Sequence, residues 1–397
     1  MKEWMSNADY RTKAESKTPA VPPTFTLNLD LPQSERWTAI GEKYQPKAWM
    51  LVNYLRENLP KGMLKPIEKI AAKLLPFFTD YGEEMKSYAT ALNITQGDIV
   101  MVNLVYQMEH LGVTCDNWNT TGPVNPKLCL RNKDDKYSTK LFPLMKPDEE
   151  AGPGACTSFV ASNSEGKVFH GRNLDWNLED ILKQFVITVN YEKNGKKVFT
   201  GTTMVGFVGI LHAVKEGAFG WSMDARRKGA SIALNALEAI FKTGVRTPEQ
   251  EARYVFENEL DYDSAVNKLS TDKIVNDAYF IISGPKYPMG TVLARKREGV
   301  AHRWDMVDTP AGQLPTWTGI TNYDLNMPPP PSDDRSTPMT EHNNAISGTP
   351  FVADDIWTII KTWPTMNQHT DIGCVMDVEK GIFDVVVYYD KEPRNEE

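Results

Sequence analysis

A predicted β-hairpin with a cysteine at its mouth constrains the fold of this chain more than any other feature of the sequence. Residues 157–162 form an apolar, β-like run, the tetrapeptide Asn163-Ser164-Glu165-Gly166 is typical of a turn, and residues 167–170 form a second run. Cys156 stands directly before the first run and follows a segment rich in Gly, Pro and charge, which predicts an exposed loop. The sequence therefore predicts a cysteine at the point where a loop enters a strand.

The residues alone leave two interpretations of Cys156 open. A lone cysteine before a strand is most often a buried core thiol. Alternatively, Cys156 is a nucleophile that acts after the bond between Ala155 and Cys156 is broken, because a free α-amine, with a pKa of about 7.7–8.0, can then act as the base for its own thiol. Arg172 and Asp175, which come just after the second run, fit this second interpretation. A carboxylate can hold the α-amine, and a guanidinium can offset charge at the reacting group.

Strands, then helices, then strands again are predicted after the hairpin. Two local signals are strong, because Asn194-Gly195 favours a two-residue hairpin turn and Thr247-Pro248-Glu249-Gln250 favours a capped helix start. The predicted strands are 185–191, 197–202, 208–214, 219–223, 278–283, 290–297, 300–306, 316–321, 371–376 and 382–389, and the predicted helices are 230–243, 247–269 and 354–363. This order is typical of an α+β fold.

The N-terminal part is predicted to be mostly helical. Residues 1–20 are predicted to form a solvated tail, and residues 24–29 alternate as in a strand. Helical patterns follow at 34–58, 63–75 and 82–108. In the second of these, apolar residues at helical spacing lie opposite three lysines. This helix either packs on the rest of the protein or lies on a membrane or micelle surface.

Charge and composition exclude several classes of function. The net charge of −8 gives no electrostatic support for nucleic-acid binding. The sequence has no run of about 18 apolar residues, so no membrane span is predicted. The first residues lack the apolar segment of a signal peptide. The six histidines show no metal-ligand spacing, and no nucleotide-binding motif is present, so we expect neither a metal ion nor a cofactor.

Two features are consistent with an oxidising, secretory environment. Cys115 and Cys129 lie close together in a polar segment and either close a disulfide loop or remain free thiols. Asn93 and Asn119 each begin an Asn-X-Thr triplet, which is the acceptor sequence for N-glycosylation. Such triplets also arise by chance, so they support this location only mildly.

Several motifs in a fixed order resemble a known family. The segment CTSFVA from Cys156, followed by HGRNLDW from His170, resembles the acid ceramidase and N-acylethanolamine acid amidase family of N-terminal-nucleophile cysteine hydrolases. Further similar segments are 198–203, 206–209, 321–324 and 333–337. The resemblance is close over residues 156–380 and looser over residues 20–108. The sequences of the segments at 171–175 and 193–203 are more similar to the amidase branch.

This resemblance implies a fold, an activity and partners. The fold would be an αββα sandwich, and the activity a self-cleaving cysteine amidase acting on fatty N-acyl lipids, with N-acylethanolamines favoured. Ceramides, bile-salt conjugates and acylated amino acids remain alternative substrates, and a non-catalytic acyl-lipid-binding homologue remains an alternative function. The resemblance further implies an α/β heterodimer cut from one precursor, contact of the N-terminal helices with a membrane or micelle surface, and a lysosomal or secreted location.

The resemblance also implies which residues form the active centre: Cys156, Arg172, Asp175, Asn322 and Arg335. Asn322 would donate its side-chain amide to the oxyanion. Arg335 is equally well explained as a surface arginine that pairs with Asp333 or Asp334. Trp176 would line an acyl channel, or else pack in the core.

Residues 1–155 would form the α-subunit-like region and residues 156–397 the catalytic, β-subunit-like region. The sequence departs from the family at two places. The segment at about 110–155 is longer than the family usually has before the cysteine. Ala225 stands where the family has a glutamate, and the adjacent Asp224 is expected to point to the opposite face of its strand. His170, within the hairpin, is expected to be structural rather than a base.

Overall fold

The structure is a computed structural model that describes residues 8–57, 69, 71–104, 156–176, 178–226, 245–307, 316–329 and 333–391. Several predictions lie outside these residues: the helix at 230–243, most of the helix at 63–75, the long segment at 110–155, Ala155, Cys115, Cys129 and Asn119. Within the described ranges, no helix has the length and apolar character needed to cross a membrane.

The strands and helices are numbered in chain order. The strands are β1 (Thr18–Ala20), β2 (Thr24–Asn28), β3 (Thr157–Ser162), β4 (Val168–Asp175), β5 (Val186–Lys193), β6 (Lys196–Met204), β7 (His212–Lys215), β8 (Phe219–Ala225), β9 (Ala278–Ser283), β10 (Gly290–Lys296), β11 (Gly299–Asp305), β12 (Trp317–Ile320), β13 (Thr370–Asp377) and β14 (Ile382–Tyr389). The helices are α1 (Ala8–Glu15), α2 (Thr38–Tyr44), α3 (Ala48–Glu57), α4 (Gly82–Leu92), α5 (Gln96–Asn103), α6 (Asp180–Lys183), α7 (Pro248–Asn258), α8 (Tyr262–Thr271), α9 (Ser336–Ile346) and α10 (Ala353–Lys361), with 3₁₀ turns at Gln45–Lys47 and Leu75–Phe77.

Two stacked sheets form the centre of the fold. The six-stranded sheet has the order β1-β14-β13-β4-β3-β12, and the eight-stranded sheet has the order β11-β10-β9-β8-β7-β6-β5-β2. Helix α10 packs on the outer face of the first sheet, where Ile356 and Ile360 contact the cluster around Phe159. Helices α7 and α8 pack on the second sheet. The predicted α+β class and αββα layering are therefore confirmed.

The predicted hairpin, β3 and β4, lies in the middle of the six-stranded sheet. Because successive side chains of a strand point to opposite faces, the paired residues Ser158 and Arg172 share one face and Phe159 and Gly171 the other. A Cβ atom on Gly171 would lie 2.7 Å from a methyl group of Ile356, so this second face meets α10. Ser158 and Arg172 therefore point between the two sheets.

Local sequence signals predicted turns and caps correctly. Asn194 and Gly195 have φ angles of 53° and 66°, as the predicted two-residue turn between β5 and β6 requires. The side chain of Thr247 accepts a hydrogen bond from the backbone N–H of Gln250, and the Gln250 side chain bonds back to the Thr247 N–H. Both elements form from contacts within a few residues, so the sequence alone defines them.

The prediction of a solvated N-terminal tail is wrong for residues 8–20. This segment forms α1 and β1, and β1 pairs with β14 at the edge of the six-stranded sheet. The predicted strand at 24–29 is confirmed as β2, which pairs in parallel with β5. Pro19 suits an edge strand, where one backbone N–H can be missing. The N-terminal segment therefore contributes one strand to each sheet.

A buried ion cluster ties the N-terminal helices to the rest of the molecule. The Glu84 carboxylate, on α4, accepts hydrogen bonds from Arg253 of α7 at 2.6 and 2.9 Å, from Arg36 at 2.8 Å and from the Trp37 indole at 2.6 Å. The side chains of Glu84 and Arg253 are fully buried. Burial opposes ionisation of Glu84, but Arg253 and these hydrogen bonds keep its pKa below the ordinary value.

Replacing Glu84 with Gln is expected to destabilise the protein by about 3–5 kcal/mol, because the fully buried Arg253 charge loses one of its two carboxylate partners and keeps Glu257 at 2.7 Å. Glu83→Gln is the matched control. Glu83 lies next in the chain, and its side chain is 61% exposed and pairs only with Lys86 among the described residues. The control should change the free energy of unfolding by less than about 1 kcal/mol. Chemical unfolding of both variants measures this, and equal losses would show that the buried pair is not special.

Candidate active site

Cys156 lies at the start of β3, between the sheets. Cys156 is 3% exposed and belongs to the main hydrophobic cluster, which agrees with the core interpretation, yet a guanidinium nitrogen of Arg172 also lies 4.0 Å from its sulfur. Burial raises the pKa of the Cys156 thiol to about 12; the carboxylates of Asp224 and Asp175 add to the rise, while the Arg172 guanidinium and a hydrogen bond from the Asp175 backbone oppose it. The thiol of the described chain therefore needs a base before it can act as a nucleophile.

Arg335 connects the backbone of Cys156 to three other segments. Its Nη1 donates to the Cys156 carbonyl oxygen at 2.5 Å and to the Thr157 hydroxyl at 3.1 Å. Its Nη2 donates to the Asn322 side-chain oxygen at 3.2 Å. The Asp333 carboxylate binds Nε and Nη2 at 2.7 and 2.9 Å. The predicted pairing with Asp333 is present, but at 1% exposure Arg335 is not a surface residue.

Asp175 ends β4 close to Arg335. Its two carboxylate oxygens accept hydrogen bonds from the Thr370 hydroxyl at 2.6 Å and from the Asn367 amide at 2.7 Å, and one oxygen lies 3.6 Å from Arg335 Nη1. Burial raises the pKa of Asp175 to about 6, although Arg335, Thr370 and Asn367 oppose the rise. Asp175 is therefore held in one orientation, beside the residue that binds the Cys156 carbonyl.

Asn322 follows β12, which pairs with β3. Its φ angle of 71° is in the left-handed region, which asparagine tolerates better than most residues. The side-chain oxygen accepts from Arg335, and the side-chain nitrogen donates to the Ala225 carbonyl at 2.8 Å. These two partners fix the orientation of the amide. Because an amide nitrogen carries two hydrogens, the second remains available as a donor.

Arg172 approaches Cys156 from β4. Its Nη2 lies 4.0 Å from the Cys156 sulfur and donates to the Met223 carbonyl at 2.5 Å. Its Nη1 donates to the Leu211 carbonyl at 3.0 Å and to His212 Nδ1 at 2.9 Å. Five of the predicted residues, Cys156, Arg172, Asp175, Asn322 and Arg335, are therefore brought together in one buried site.

The expectation that Asp224 points away from this site is wrong. Its carboxylate lies 3.8 Å from Arg172 Nε and accepts a hydrogen bond from Ser158 at 2.7 Å. Burial raises the pKa of Asp224 to about 7, against the effects of Arg172 and Ser158. Ala225 is the residue on the other face, and it contributes its backbone carbonyl to Asn322. The strand was predicted, but the face that meets the site depends on how the sheets stack.

Two buried histidines lie beside this site. Both ring nitrogens of His170 are hydrogen-bonded to serines, and burial lowers its pKa to about 3, so His170 is structural, as expected. Burial, followed by the Arg172 charge, also lowers the pKa of His212. Among the described residues, no group of His, Cys, Asp or Glu side chains is arranged to hold a metal ion.

Two further predicted residues lie at the edge of the site or away from it. Trp176 is half-buried and packs against the main core, and its backbone N–H donates to Asp371 at 3.2 Å. Asn93 is exposed at the end of α4, with a left-handed φ of 55°. Thr95 of the same triplet caps α5 through a hydrogen bond from the Asp98 backbone at 3.1 Å. Glycosylation at Asn93 stays a prediction.

Sequence reasoning missed the residues that support the site: Ser158, His212, Asn367 and Thr370. Asn367 and Thr370 reach Asp175 because β13 pairs with β4, with Thr370 opposite Asp175. The only local signal was the polar segment 367–371 directly before an apolar run. Polar segments of this kind are also typical of ordinary turns, so the signal does not identify a site.

Two family descriptions match separate parts of the chain. The description "beta subunit of N-acylethanolamine-hydrolyzing acid amidase" matches residues 21–78. The description "linear amide C-N hydrolases, choloylglycine hydrolase family" matches residues 156–300, which include Cys156, Arg172 and Asp175. The residues that match the first description, 21–78, lie within the region predicted to be α-subunit-like, residues 1–155.

Individual relatives cover most of the chain. N-acylethanolamine-hydrolyzing acid amidase of Mus musculus is 26% identical over 362 residues, which are 90% of this chain and 86% of the relative. Acid ceramidase of Homo sapiens is 28% identical over 382 residues, which are 91% of this chain and 85% of the relative. The solved structure of a Caenorhabditis elegans N-acylethanolamine-hydrolyzing acid amidase ortholog is 29% identical, with a TM-score of 0.50, over 56% of this chain and 93% of the solved chain.

The raised pKa of Asp224 predicts how Asp224→Asn changes stability with pH. The native pKa of about 7 lies above the ordinary value of 3.8, so the folded chain holds a proton that the unfolded chain releases between these values. The wild type therefore loses stability as the pH rises through this range, and the variant does not. Between pH of about 5 and 7.5, the variant should gain roughly 1–3 kcal/mol relative to the wild type.

Chemical unfolding at the two pH values measures this difference. Asp261→Asn is a suitable control, because Asp261 is a helix cap whose hydrogen bonds lower its pKa. Its carboxylate is ionised in both states over this range, so the difference from the wild type should stay constant. A constant difference for Asp224→Asn as well would contradict the raised pKa.

Proposed function

Because the chain belongs to the acid ceramidase and N-acylethanolamine acid amidase family of N-terminal-nucleophile hydrolases, and is an amide C–N hydrolase, we propose that it cuts itself before Cys156 and then hydrolyses fatty N-acyl amides. One observation carries the proposal. The thiol and the carbonyl of Cys156 are held by two separate arginines, Arg172 and Arg335, beside the Asp175 carboxylate. Burying these charges costs free energy, and a thiol that only fills space in the core does not require them.

The first step is the cut between Ala155 and Cys156. The Cys156 sulfur attacks the Ala155 carbonyl carbon, and its thiol proton passes to the nitrogen of Cys156 as the C–N bond breaks. That nitrogen becomes the free α-amine of Cys156. Water then hydrolyses the thioester, which leaves a carboxylate on Ala155 and restores the thiol. Arg335 donates hydrogen bonds to the Cys156 carbonyl oxygen and to the Thr157 hydroxyl. These bonds hold the peptide plane after Cys156 and so restrict the direction of this attack.

The second step is amide hydrolysis by the N-terminal cysteine. The α-amine takes the thiol proton, and the sulfur attacks the carbonyl carbon of the substrate. Asp175 holds the resulting ammonium, and the second hydrogen of the Asn322 amide binds the oxyanion. The proton then passes to the leaving amine, and water hydrolyses the acyl thioester to release a fatty acid. Arg172 offsets the negative charge on the sulfur.

We favour N-acylethanolamines over ceramides as substrates. The support is the amidase-like sequence of the segments at 171–175 and 193–203, together with the first family description. Both amidases and ceramidases are relatives at similar identity, so the head group is a matter for experiment. The lysosome or the extracellular space is the proposed location.

The N-terminal region is proposed to stay bound after the cut and to contact membranes or micelles. Strands β1 and β2 belong to the two sheets, and the Glu84–Arg253 pair is fully buried, so the two pieces would remain one molecule. Trp49 on α3 is 56% exposed and lines a surface cavity of about 650 Å³. An exposed tryptophan suits the interface between water and lipid.

A panel of amides tests the substrate proposal. N-palmitoylethanolamine in micelles is expected to be hydrolysed faster than a ceramide of the same acyl chain and faster than a glycine-conjugated bile salt. Cys156→Ser should lose most of the activity. Trp49→Ala should raise KM for micellar substrate only, with a short-chain soluble amide as control. Binding of acyl lipids without turnover of any amide would instead favour a non-catalytic homologue.

Asn322 is expected to contribute at least a hundredfold to kcat. Asn322→Gly keeps the left-handed backbone, because glycine adopts positive φ without strain, but removes the amide. We expect kcat to fall by about 10²–10³-fold with little change in KM, as for other single oxyanion donors. Asn194→Gly, at a positive φ in the turn distant from the site, is the matched control. A change in KM alone would show that Asn322 only binds substrate.

A further inference from the structure

The Arg172 guanidinium is a buried charge with one charged partner among the described residues. Its side chain is 1% exposed. The acceptors of its Nη atoms are all uncharged, because they are two backbone carbonyls, the neutral ring of His212 and the Cys156 thiol. The Nε atom makes no hydrogen bond and lies 3.8 Å from the Asp224 carboxylate. Since arginine stays protonated in proteins, Asp224 is the carboxylate that balances this charge whenever it is ionised.

A one-directional hydrogen-bond chain ends on Asp224. Ser158 donates to Asp224 at 2.7 Å, and Ser222 donates to Ser158 at 3.2 Å. Because the Ser222 proton is used in this way, Ser222 accepts from His170 Nε2 at 2.9 Å, and His170 Nδ1 then accepts from Ser283 at 3.1 Å. Such chains polarise one another, and here every donor points towards the Asp224 oxygen. This series of hydrogen bonds therefore favours the ionised form of Asp224.

The same guanidinium reaches Cys156 with its opposite end. Nε faces Asp224 at 3.8 Å, and Nη2 faces the Cys156 sulfur at 4.0 Å. A thiolate at Cys156 and the Asp224 carboxylate would share a single positive charge in a site that excludes water. At about 4 Å, each charge pair is worth several times its value in water.

We propose that Asp224 is a positioning residue that acts on Cys156 through Arg172: it is the resting counter-ion of the guanidinium and keeps Cys156 in the thiol form until the peptide bond before it is attacked. The inference rests on the proposed role of Cys156 as a nucleophile. It adds an opposing effect to that role, because the positive charge of Arg172, which would stabilise a thiolate, already interacts with the Asp224 carboxylate in the uncleaved chain. The removal of the Asp224 charge should therefore make the Cys156 thiol more acidic.

Four charged or titratable groups besides Asp224 lie near this site, and a tyrosine lies next to Asp224 across the sheet. His170 and His212 are neutral at physiological pH, because burial lowers the pKa of each. Arg335 and Asp175 act on the pKa of Asp224 in opposite directions, and they are linked to each other at 3.6 Å. Tyr279, the cross-strand neighbour of Asp224, donates its hydroxyl to Asp324 at 2.6 Å. None of these groups lies between Asp224 and Arg172.

The test is a titration of the Cys156 thiol in the full, uncleaved chain by NMR of cysteine labelled with ¹³C at Cβ. The chain has four cysteines, and Cys156→Ser identifies the relevant signal. Asp224→Asn keeps the acceptor for Ser158 and removes only the charge. We expect its Cys156 midpoint to lie at least about one pH unit below that of the wild type, which is a tenfold change in acidity. Arg172→Gln should move the midpoint upward.

Ser283→Ala is the matched control, because it removes one buried hydroxyl at the far end of this series of hydrogen bonds and leaves Asp224 and Arg172 in place. It should leave the midpoint unchanged. Asp224→Ser, which also removes the charge, should give a downward shift of similar size and replaces Asp224→Asn if that variant does not fold. The Cys374 signal reports any general opening, since this thiol is also buried and lies opposite Arg172 on β13.

An unchanged or raised midpoint in both Asp224→Asn and Asp224→Ser would overturn the inference. The measurement needs neither self-cleavage nor substrate. If the chain hydrolyses no amide but the midpoint falls, the proposed function fails and the charge relation stands. If amides are hydrolysed but the Cys156 midpoint does not move, the proposed function stands and the charge relation between Asp224 and Cys156 fails.

Discussion

The buried guanidinium of Arg335 is the interaction on which the candidate site depends. Its four groups of partners come from different parts of the chain: the start of β3, the loop after β12, the end of β4 and the loop before α9. The pairing of β12, β3 and β4 brings these segments near one another. Arg335 then fixes the Cys156 carbonyl and the Asn322 amide relative to each other. Without this residue the sheet would place the backbone but not the reacting groups.

Charge is kept inside this sandwich by pairing. Arg335 pairs with Asp333, Arg172 with Asp224, and Arg253 with Glu84. A buried arginine without compensating partners would cost several kcal/mol, so each guanidinium binds backbone carbonyls as well as its carboxylate. The first two pairs lie at Cys156, and the third joins the N-terminal helices to α7. The same physical rule therefore supports the site and the attachment of the region before it.

Local sequence patterns predicted elements that form from neighbouring residues. The β3–β4 hairpin, the Asn194-Gly195 turn and the Thr247 cap are of this kind. Strand β1 and helix α9 were missed. Strand β1 is polar and short, and only its pairing with β14 makes it a strand. No pattern within three residues can reveal a partner that lies several hundred residues away.

The site shows the same limit more clearly. Cys156, Arg172 and Asp175 are near neighbours in the sequence, but Arg335 reaches Cys156 across 179 residues. The family resemblance named Arg335 and Asn322, whereas residue chemistry alone did not. Asp224 was assigned to the wrong face, because the alternation of a strand tells which residues share a face but not which face meets the other sheet. Asn367 and Thr370 depend on the register of β13 and β4.

The central claim is that Cys156 becomes an N-terminal nucleophile, and intact mass with N-terminal sequencing tests it most directly. The wild type and Cys156→Ala are compared before and after incubation at a pH of about 5, where buried carboxyls such as Asp224 take up protons. The account predicts that only the wild type divides, into a piece that ends at Ala155 and a piece that begins with Cys156. A cut at any other bond, equal cutting of the variant, or an uncut wild type that still hydrolyses amides would contradict it.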